Sequence, residues 1–181
     1  GIRRDLDEPE LFKAQLQAIF QLRKEGYTGI GVMLPFVISV DEVQKAKGLM
    51  QECGFDLNDP SFEFGVMVET PAACWIIDEL IAEKIRFISF GTNYLTQLTL
   101  GIDRNNERIQ KQFSEMHPAV MREIGHVIAA CKHAGVKTSI CGQAASNPEM
   151  VKKLLAFGID SVSPNNDAGE QITGTVLRAA K

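Results

Sequence analysis

Two residues in this sequence place a reactive side chain directly after an apolar run. Glu69 follows FGVMV, and a carboxylate at the end of a buried strand must be paired, protonated or bound to a metal. It is a candidate Mg²⁺ ligand that would share the cation with substrate phosphate oxygens, and a structural salt bridge to a loop arginine is the alternative. Cys141 ends the run VKTSIC and could act as a nucleophile or as a proton donor.

A turn and an arginine could add an anion site to these two groups. Gly91, Thr92 and Asn93 precede an expected helix start, and successive backbone N–H groups in such a turn form an anion-binding concavity. The alternative is an ordinary turn with an asparagine cap. Arg104, in GIDRNN, could clamp a phosphate or carboxylate with two hydrogen bonds or form a surface salt bridge. No histidine follows a predicted strand, so proton transfer is the more economical role for the cysteine.

Five short apolar runs that alternate with helical patterns would position these residues. The predicted strands are 30–36, 64–69, 85–90, 136–141 and 159–163, and the predicted helices are 8–24, 39–53, 72–83, 119–133, 149–157 and 168–180. Continuously apolar strands are typical of a parallel sheet, either doubly wound or in a (β/α)8 barrel. No GxGxxG follows a strand, which disfavours dinucleotide binding. We therefore expect an α/β fold: a TIM-type (β/α)8 barrel that is incomplete, with about the last five β/α units. In both architectures the chemistry lies at the C-terminal strand ends.

Composition restricts the classes of partner. The 181 residues have a net charge of −4, which gives no basic footprint for nucleic acid. No run approaches the roughly 20 apolar residues of a membrane span, and the polar start is unlike a signal peptide. We expect one domain over 1–181, with no nucleic-acid or membrane partner, and the initial glycine suggests a fragment. The cysteines lack CxxC spacing, which argues against a zinc ribbon and indicates a reducing, cytoplasmic setting. They are Cys53, Cys74, Cys131 and Cys141.

Five segments, in order over almost the whole chain, resemble the C-terminal PEP/pyruvate-binding barrel of the PEP-utilising enzymes. This family includes phosphoenolpyruvate synthase, pyruvate phosphate dikinase and Enzyme I of the sugar phosphotransferase system. TQLTLGIDR, ICGQA and SVSPNND look most like the synthase group, whereas the opening looks more like Enzyme I. The five segments are GIRRDLDEPELFKAQLQAI, VMLPFVISVDEV, FGVMVETPAA, ISFGTNYLTQLTLGIDRNN and ICGQAAS.

The resemblance implies a phosphotransferase in which a phosphohistidine on a separate mobile domain passes its phosphoryl group to pyruvate enolate, giving PEP. By the same resemblance, Glu69 matches the family's Mg²⁺ ligand, residues 91–93 hold the substrate carboxylate and phosphate, and Arg104 lies near the phosphate. Cys141 matches the cysteine that exchanges a proton with C3 of the enolate. The implied partners are PEP or pyruvate and the phosphohistidine domain.

Tyr94 departs from the family pattern, which is GTND or GSND with the aspartate as second metal ligand. A phenol, with a pKa of about 10, is a poor Mg²⁺ ligand at neutral pH, so we expect Mg²⁺ affinity to be weakened or lost and the isolated chain to be inactive or nearly so. One alternative is a non-catalytic binding or assembly module of the same descent, in which open sheet edges favour a homo-oligomer. Another alternative is an Enzyme I-type phosphotransferase, and a third is an aldolase-like lyase acting on pyruvate enolate.

Overall fold

The computed structural model describes residues 1–103, 106, 108–109 and 113–179. Within these ranges there are five strands and ten α-helices. The strands are β1 Val32–Leu34, β2 Phe64–Val68, β3 Phe87–Phe90, β4 Lys137–Cys141 and β5 Ser161–Ser163. The helices are α1 Ile2–Asp7, α2 Pro9–Lys24, α3 Val40–Glu52, α4 Pro71–Trp75, α5 Ile77–Ala82, α6 Thr92–Leu100, α7 Pro118–Ala134, α8 Gly142–Ala145, α9 Pro148–Phe157 and α10 Gly169–Ala179. A 3₁₀ turn, Asn166–Ala168, precedes the last helix.

The strands form one parallel sheet in the order β1-β2-β3-β4-β5. A doubly wound sheet reverses its strand order at a switch point, and the observed order has no reversal. The helices follow the same sequence, because α3 contacts α5, α5 contacts α7, α7 contacts α9 and α9 contacts α10. The predicted α/β class with a parallel sheet is therefore confirmed, and the sheet is wound in one direction with the helices in one layer.

One face of the sheet is buried beneath the helix layer. Alternate residues of neighbouring strands are register partners there, and burial of their aliphatic and aromatic side chains forms the core. The fully buried members of this face are Leu34, Val66, Val68, Ile88, Phe90 and Ile140. The strand sequences are continuously apolar because the opposite face also carries large apolar side chains. One of these, Met33, is 40 % exposed.

The opposite face places the two reactive residues together. Met67, Ser89 and Ser139 are register partners on this face. Side chains alternate along a strand, so Glu69 and Cys141, each two residues further on, share the face. The two groups thus lie at the same C-terminal edge of the sheet, as the strand-end rule predicts.

Local signals position several helix starts. The Ser39 hydroxyl accepts a hydrogen bond from the N–H of Glu42, and the Glu42 carboxylate accepts one from the Ser39 N–H, which completes a capping box. Asn147 caps α9. Pro71 and Pro118 occupy the first positions of α4 and α7, where a missing N–H costs nothing.

Several boundaries differ from prediction, and the short helix α8, Gly142–Ala145, was not predicted. A six-residue helix, α1, precedes the predicted first helix and is held by Ile2, which is fully buried. The predicted helix 72–83 is broken at Ile76, whose backbone leaves the helical region. The first strand has three residues rather than seven.

None of the helices in the described ranges is long and apolar enough to cross a bilayer.

Candidate active site

Glu69 lies between the ends of β1 and β3. Its side chain is buried, with 5 % of the residue exposed. The backbone N–H of Phe36, at the end of β1, donates a hydrogen bond of 2.8 Å to Oε1. Phe36 adopts the left-handed conformation, with φ at +57°, which is uncommon for a bulky residue. The carboxylate is therefore oriented by a backbone amide just beyond a neighbouring strand.

Gly91, at the end of β3, borders the other side of this carboxylate. A Cβ at this position would lie 2.5 Å from Glu69 Oε2 and 2.7 Å from Glu69 Cβ. Real Cβ atoms do not approach other atoms so closely, so only glycine leaves room for the carboxylate here. The predicted turn thus has a second role, because its glycine makes space for Glu69.

The electrostatics of Glu69 follow from this enclosure. Burial raises the pKa of the Glu69 carboxyl, and the hydrogen bond from the Phe36 amide opposes that rise. Among the described residues no cation lies within 4 Å of it, so the loop-arginine salt bridge is not found there. Arg104, the predicted phosphate clamp, lies outside the described residues.

The turn at residues 91–93 is itself the start of α6. The helix begins at Thr92, with Gly91 as N-cap and no side-chain cap, so the asparagine-cap alternative is wrong. The N–H groups of a first turn lack intrahelical acceptors and point toward the helix N-terminus, where they favour anions. The Thr92 hydroxyl is buried and donates to Glu115 Oε1 at 2.6 Å. Thr92 can therefore offer its backbone N–H to a ligand, because its hydroxyl is already paired. Asn93 is half-buried.

Cys141 lies on the far side of β3 from Glu69. It is exposed, and its Sγ is 4.0 Å from the Phe90 carbonyl oxygen. Since β3 separates β2 from β4, the backbones at Glu69 and Cys141 are two strand spacings apart, roughly 10 Å. A small carboxylate substrate bound above Gly91 would lie between the carboxylate and the thiol.

Tyr94 contacts Phe36 rather than the carboxylate. The two rings meet edge-to-face, with centroids 5.2 Å apart and planes at 84°. Tyr94 is 48 % exposed, and its hydroxyl makes no hydrogen bond to any part of the chain that the structure describes. The described residues also contain no group of three His, Cys, Asp or Glu side chains that could hold a metal ion. Mg²⁺ in proteins is usually held by one or two carboxylates together with waters and substrate phosphates, so Glu69 offers one ligand of such a site, and the remaining ligands would come from water and substrate.

Two contributors to this site were not predicted as such. Phe36 was noted only as a strand end, and its role rests on a backbone conformation that the residue type does not signal. Glu115 lies 23 positions after Thr92, in a stretch without an apolar pattern. Proximity to a strand end was the one available signal for Phe36. The prediction that no histidine follows a strand is confirmed, since His117 caps α7, and His126 and His133 lie within it.

Comparison with known sequences gives a consistent family. A family model described as "PEP-utilising enzyme, PEP-binding domain" matches residues 1–180. The chain is 54 % identical over 181 residues to a probable phosphoenolpyruvate synthase of Archaeoglobus fulgidus, covering 100 % of this chain and 24 % of that protein. It is 53 % identical over 178 residues to the Methanocaldococcus jannaschii counterpart, covering 98 % of this chain and 15 % of that one. A "phosphoenolpyruvate-dependent phosphotransferase system" protein of Salmonella typhimurium is 36 % identical, over 91 % of this chain and 23 % of that protein.

Solved structures show the same fold at low sequence identity. A citrate lyase from Burkholderia xenovorans superposes with a TM-score of 0.57 at 20 % identity, over 79 % of this chain and 47 % of that one. An HpcH/HpaI aldolase from Desulfitobacterium hafniense superposes with a TM-score of 0.52 at 16 % identity, over 83 % of this chain and 63 % of that one. At such identities the likeness concerns the fold alone.

Proposed function

The chain belongs to the PEP-utilising enzymes, as their PEP-binding domain, and from that premise we propose that it is the substrate-binding barrel of a phosphoenolpyruvate synthase-like phosphotransferase. The observation that supports this most is the row formed by Glu69, Gly91 and Cys141 at the ends of three adjacent strands. The chain spans 15 to 24 % of the length of the synthase relatives named above. The phosphoryl-donating histidine domain and the complete reaction are therefore part of the proposal. So is a cytoplasmic location, which the free thiols favour.

The start of α6 and the thiol of Cys141 have distinct parts in this proposal. The first-turn N–H groups of α6, at Thr92 and Asn93, would hold the carboxylate or phosphate of the substrate. Cys141, as thiolate, would take a proton from C3 of pyruvate, which leaves an enolate. The enolate oxygen would then attack the phosphorus of phosphohistidine, the P–N bond would break, and PEP would form. In the reverse direction the thiol returns the proton to C3.

The site offers few protein ligands for a metal ion. Glu69 offers one carboxylate, and Tyr94 stands where the family has a second. We propose that Mg²⁺ binds weakly or not at all to this chain, and we assign no step to the metal. Arg104 is a proposed neighbour of the substrate phosphate.

The fold itself enters the proposal as a (β/α)8 barrel that is incomplete in this chain. Strands in sequential order, helices in one layer and reactive groups at the C-terminal strand ends are the features of such a barrel. The five units would be its last five. Their open sheet edges would be paired by further units or by a second copy of the chain, since free edges promote association.

Titration calorimetry with oxalate, a mimic of pyruvate enolate, tests the binding site. With Mg²⁺ present, we expect weak binding that Glu69→Gln weakens further, because one metal ligand is lost. Without Mg²⁺, the same substitution should leave oxalate binding unchanged or strengthen it, because a like charge is removed. Glu149→Gln, on the exposed surface of α9, is the matched control and should change neither titration. Equal binding by Glu69→Gln and Glu149→Gln with Mg²⁺ would show that Glu69 is not a metal ligand, and no saturable oxalate binding by the original chain would contradict the proposed site.

A non-catalytic binding or assembly module is the second candidate, and Tyr94 is the observation that favours it. Its ring packs on Phe36 and leaves the carboxylate of Glu69 with a single backbone partner, an arrangement suited to a site without metal chemistry.

Tyr94→Asp separates the two candidates. If only a metal ligand has been lost, this substitution should strengthen Mg²⁺–oxalate binding measurably. Because Tyr94→Asp also removes the ring that contacts Phe36, unchanged binding favours the repurposed module only if Tyr94→Ala binds Mg²⁺–oxalate equally well. The oligomeric state measured by light scattering would then become the relevant property.

A further inference from the structure

The Phe36 amide that orients Glu69 depends on an uncommon backbone conformation. Phe36 has φ at +57°, a region that L-residues other than Gly, Asn and Asp seldom occupy. Such a conformation persists only where surrounding contacts hold it. The hydrogen bond from Phe36 N to Glu69 Oε1, 2.8 Å long, is one of these contacts. This hydrogen bond involves the backbone of Phe36 and does not fix its aromatic ring. The contacts of the ring with other groups therefore matter for the conformation of the residue.

Two elements restrain Phe36 from outside the sheet. The N–H of Ile2, at the start of α1, donates to the carbonyl oxygen of Pro35 at 3.1 Å, which ties the preceding residue. The Arg3 guanidinium lies 5.6 Å from the centroid of the Phe36 ring. The ring of Tyr94, on α6, meets the same ring edge-to-face at 5.2 Å. Arg3 and Tyr94 are both exposed, and at an exposed site a cation–π contact stabilises no more than an edge-to-face ring pair does.

The contact uses the ring of Tyr94 and not its hydroxyl. Nearly half of Tyr94 is exposed, and no hydrogen bond of its hydroxyl is found within the described ranges of the chain. Edge-to-face aromatic pairs are stabilising beyond the area they bury. A ring at position 94 can therefore restrain Phe36 in a way that an aspartate could not.

We propose that Tyr94 is a positioning residue: its ring holds Phe36 so that the Phe36 amide keeps the Glu69 carboxylate oriented at the strand ends. Gly91 limits the carboxylate on the Oε2 side, and the Phe36 amide holds Oε1. The protein thus supplies by backbone and aromatic packing the orientation that a metal ion would otherwise impose. This role of Tyr94 deepens the proposed function. It rests on that function in one respect, that Glu69 is the group that faces the ligand.

Amide hydrogen exchange of the isotope-labelled chain, followed by NMR, tests this coupling without any ligand. Tyr94→Ala should speed exchange of the Phe36 amide by about three- to tenfold, whereas Tyr94→Phe, which keeps the ring, should change it by less than about twofold. Leu98→Ala, one turn later on the same exposed helix face, is the matched control and should leave Phe36 unchanged. Amides of β2 and β3 should exchange as before in every variant, which shows that the fold is intact. Tyr94→Leu repeats the comparison with a larger apolar side chain if the alanine variant does not fold.

A second background removes the ring on the other side. Phe36→Gly permits the left-handed backbone without strain but leaves Tyr94 no ring to contact. In that background Tyr94→Ala should have no further effect on exchange of the residue-36 amide. The proposal is overturned if Tyr94→Ala leaves the Phe36 amide unchanged in the original chain, or if Tyr94→Phe behaves as Tyr94→Ala does. A failure of oxalate binding would overturn the proposed function and leave this exchange result untouched, so the two failures are distinguishable.

Discussion

At the residue scale, the position of Glu69 depends on the absence of a side chain at Gly91. In Gly91→Ala the added Cβ would lie 2.5 Å from Glu69 Oε2, and the buried carboxylate would have to move away from the Phe36 amide. We expect a loss of about 1–3 kcal/mol in the free energy of unfolding, measured by urea denaturation. Oxalate binding should weaken in parallel.

Gly48→Ala is the control for this substitution. Gly48 lies inside α3, and a Cβ there would meet nothing within 4 Å. Alanine is the better helix former, so this variant should gain about 0.5–1 kcal/mol. A Gly91→Ala variant as stable as the original chain would show that Glu69 is not confined as described.

The four thiols should differ in reactivity, because the thiolate is the reactive form and only Cys141 is exposed. Burial raises the pKa of Cys131 to about 12 and that of Cys74 further. It also raises the pKa of the half-buried Cys53. We expect an aromatic disulfide reagent at pH 8 to give one fast thiol, one slower thiol and two that react only on unfolding. Cys141→Ser should abolish the fast phase, and a fast phase that survives would contradict the assignment.

At the element scale, an ion pair joins α3 to the segment after α5. Lys47 Nζ lies 2.7 Å from Glu83 Oε2, and Gln44 donates to Glu83 Oε1. These hydrogen bonds hold the pKa of Glu83 below its usual value of 4.5. A carboxyl whose pKa is lower in the folded chain stabilises the fold above its unfolded pKa. That stabilisation is lost as the pH falls through the folded pKa.

Glu83→Gln should therefore be pH-dependent in its effect. At pH 7 we expect it to lower the free energy of unfolding by roughly 1–2 kcal/mol, and the difference should shrink as the pH is taken well below 4.5. Glu149→Gln removes an exposed i,i+3 pair with Lys152 and should cost less than about 0.5 kcal/mol at either pH. Urea denaturation at the two pH values checks both, and a Glu83→Gln effect independent of pH would contradict the assignment.

Most elements could be predicted because burial and capping are local properties of the sequence. Apolar runs marked all five strands. The predicted helix starts at 39, 72, 119 and 149 lie within one residue of the observed starts of α3, α4, α7 and α9. The helix α1 was missed because one buried side chain, Ile2, gives no periodicity to read. The break at Ile76 was missed because it depends on how α4 and α5 pack, not on a glycine or proline.

The site was predictable in its placement and not in its contacts. Glu69 and Cys141 could be placed at one sheet edge because parallel strands end together. The amide of Phe36 could not be assigned to Glu69, because its direction depends on a φ angle of +57°. The partnership of Thr92 with Glu115 joins residues too distant in sequence for a local pattern.

At the scale of the whole molecule, residues 1–180 match one PEP-binding domain, and the chain spans 15 to 24 % of the length of its synthase relatives. We expect no measurable PEP formation from pyruvate and ATP by the purified chain, assayed by coupled oxidation of NADH. Robust turnover would contradict the view that this domain acts with another. The chain with Tyr94→Asp should be equally inactive, since the substitution restores a ligand and not a phosphoryl donor.

The central claim is that the ends of β2, β3 and β4 form one small-carboxylate site, and an NMR titration of the isotope-labelled chain with oxalate and Mg²⁺ tests it most directly. A cavity at the opposite end of the sheet, lined by residues that include Met33, Phe87 and Lys137, provides an internal contrast. We predict saturable amide shifts at Gly91, Asn93 and the residues around Cys141, with none near Lys137. Shifts centred on the opposite cavity, or no saturable shifts at the strand ends, would contradict the account.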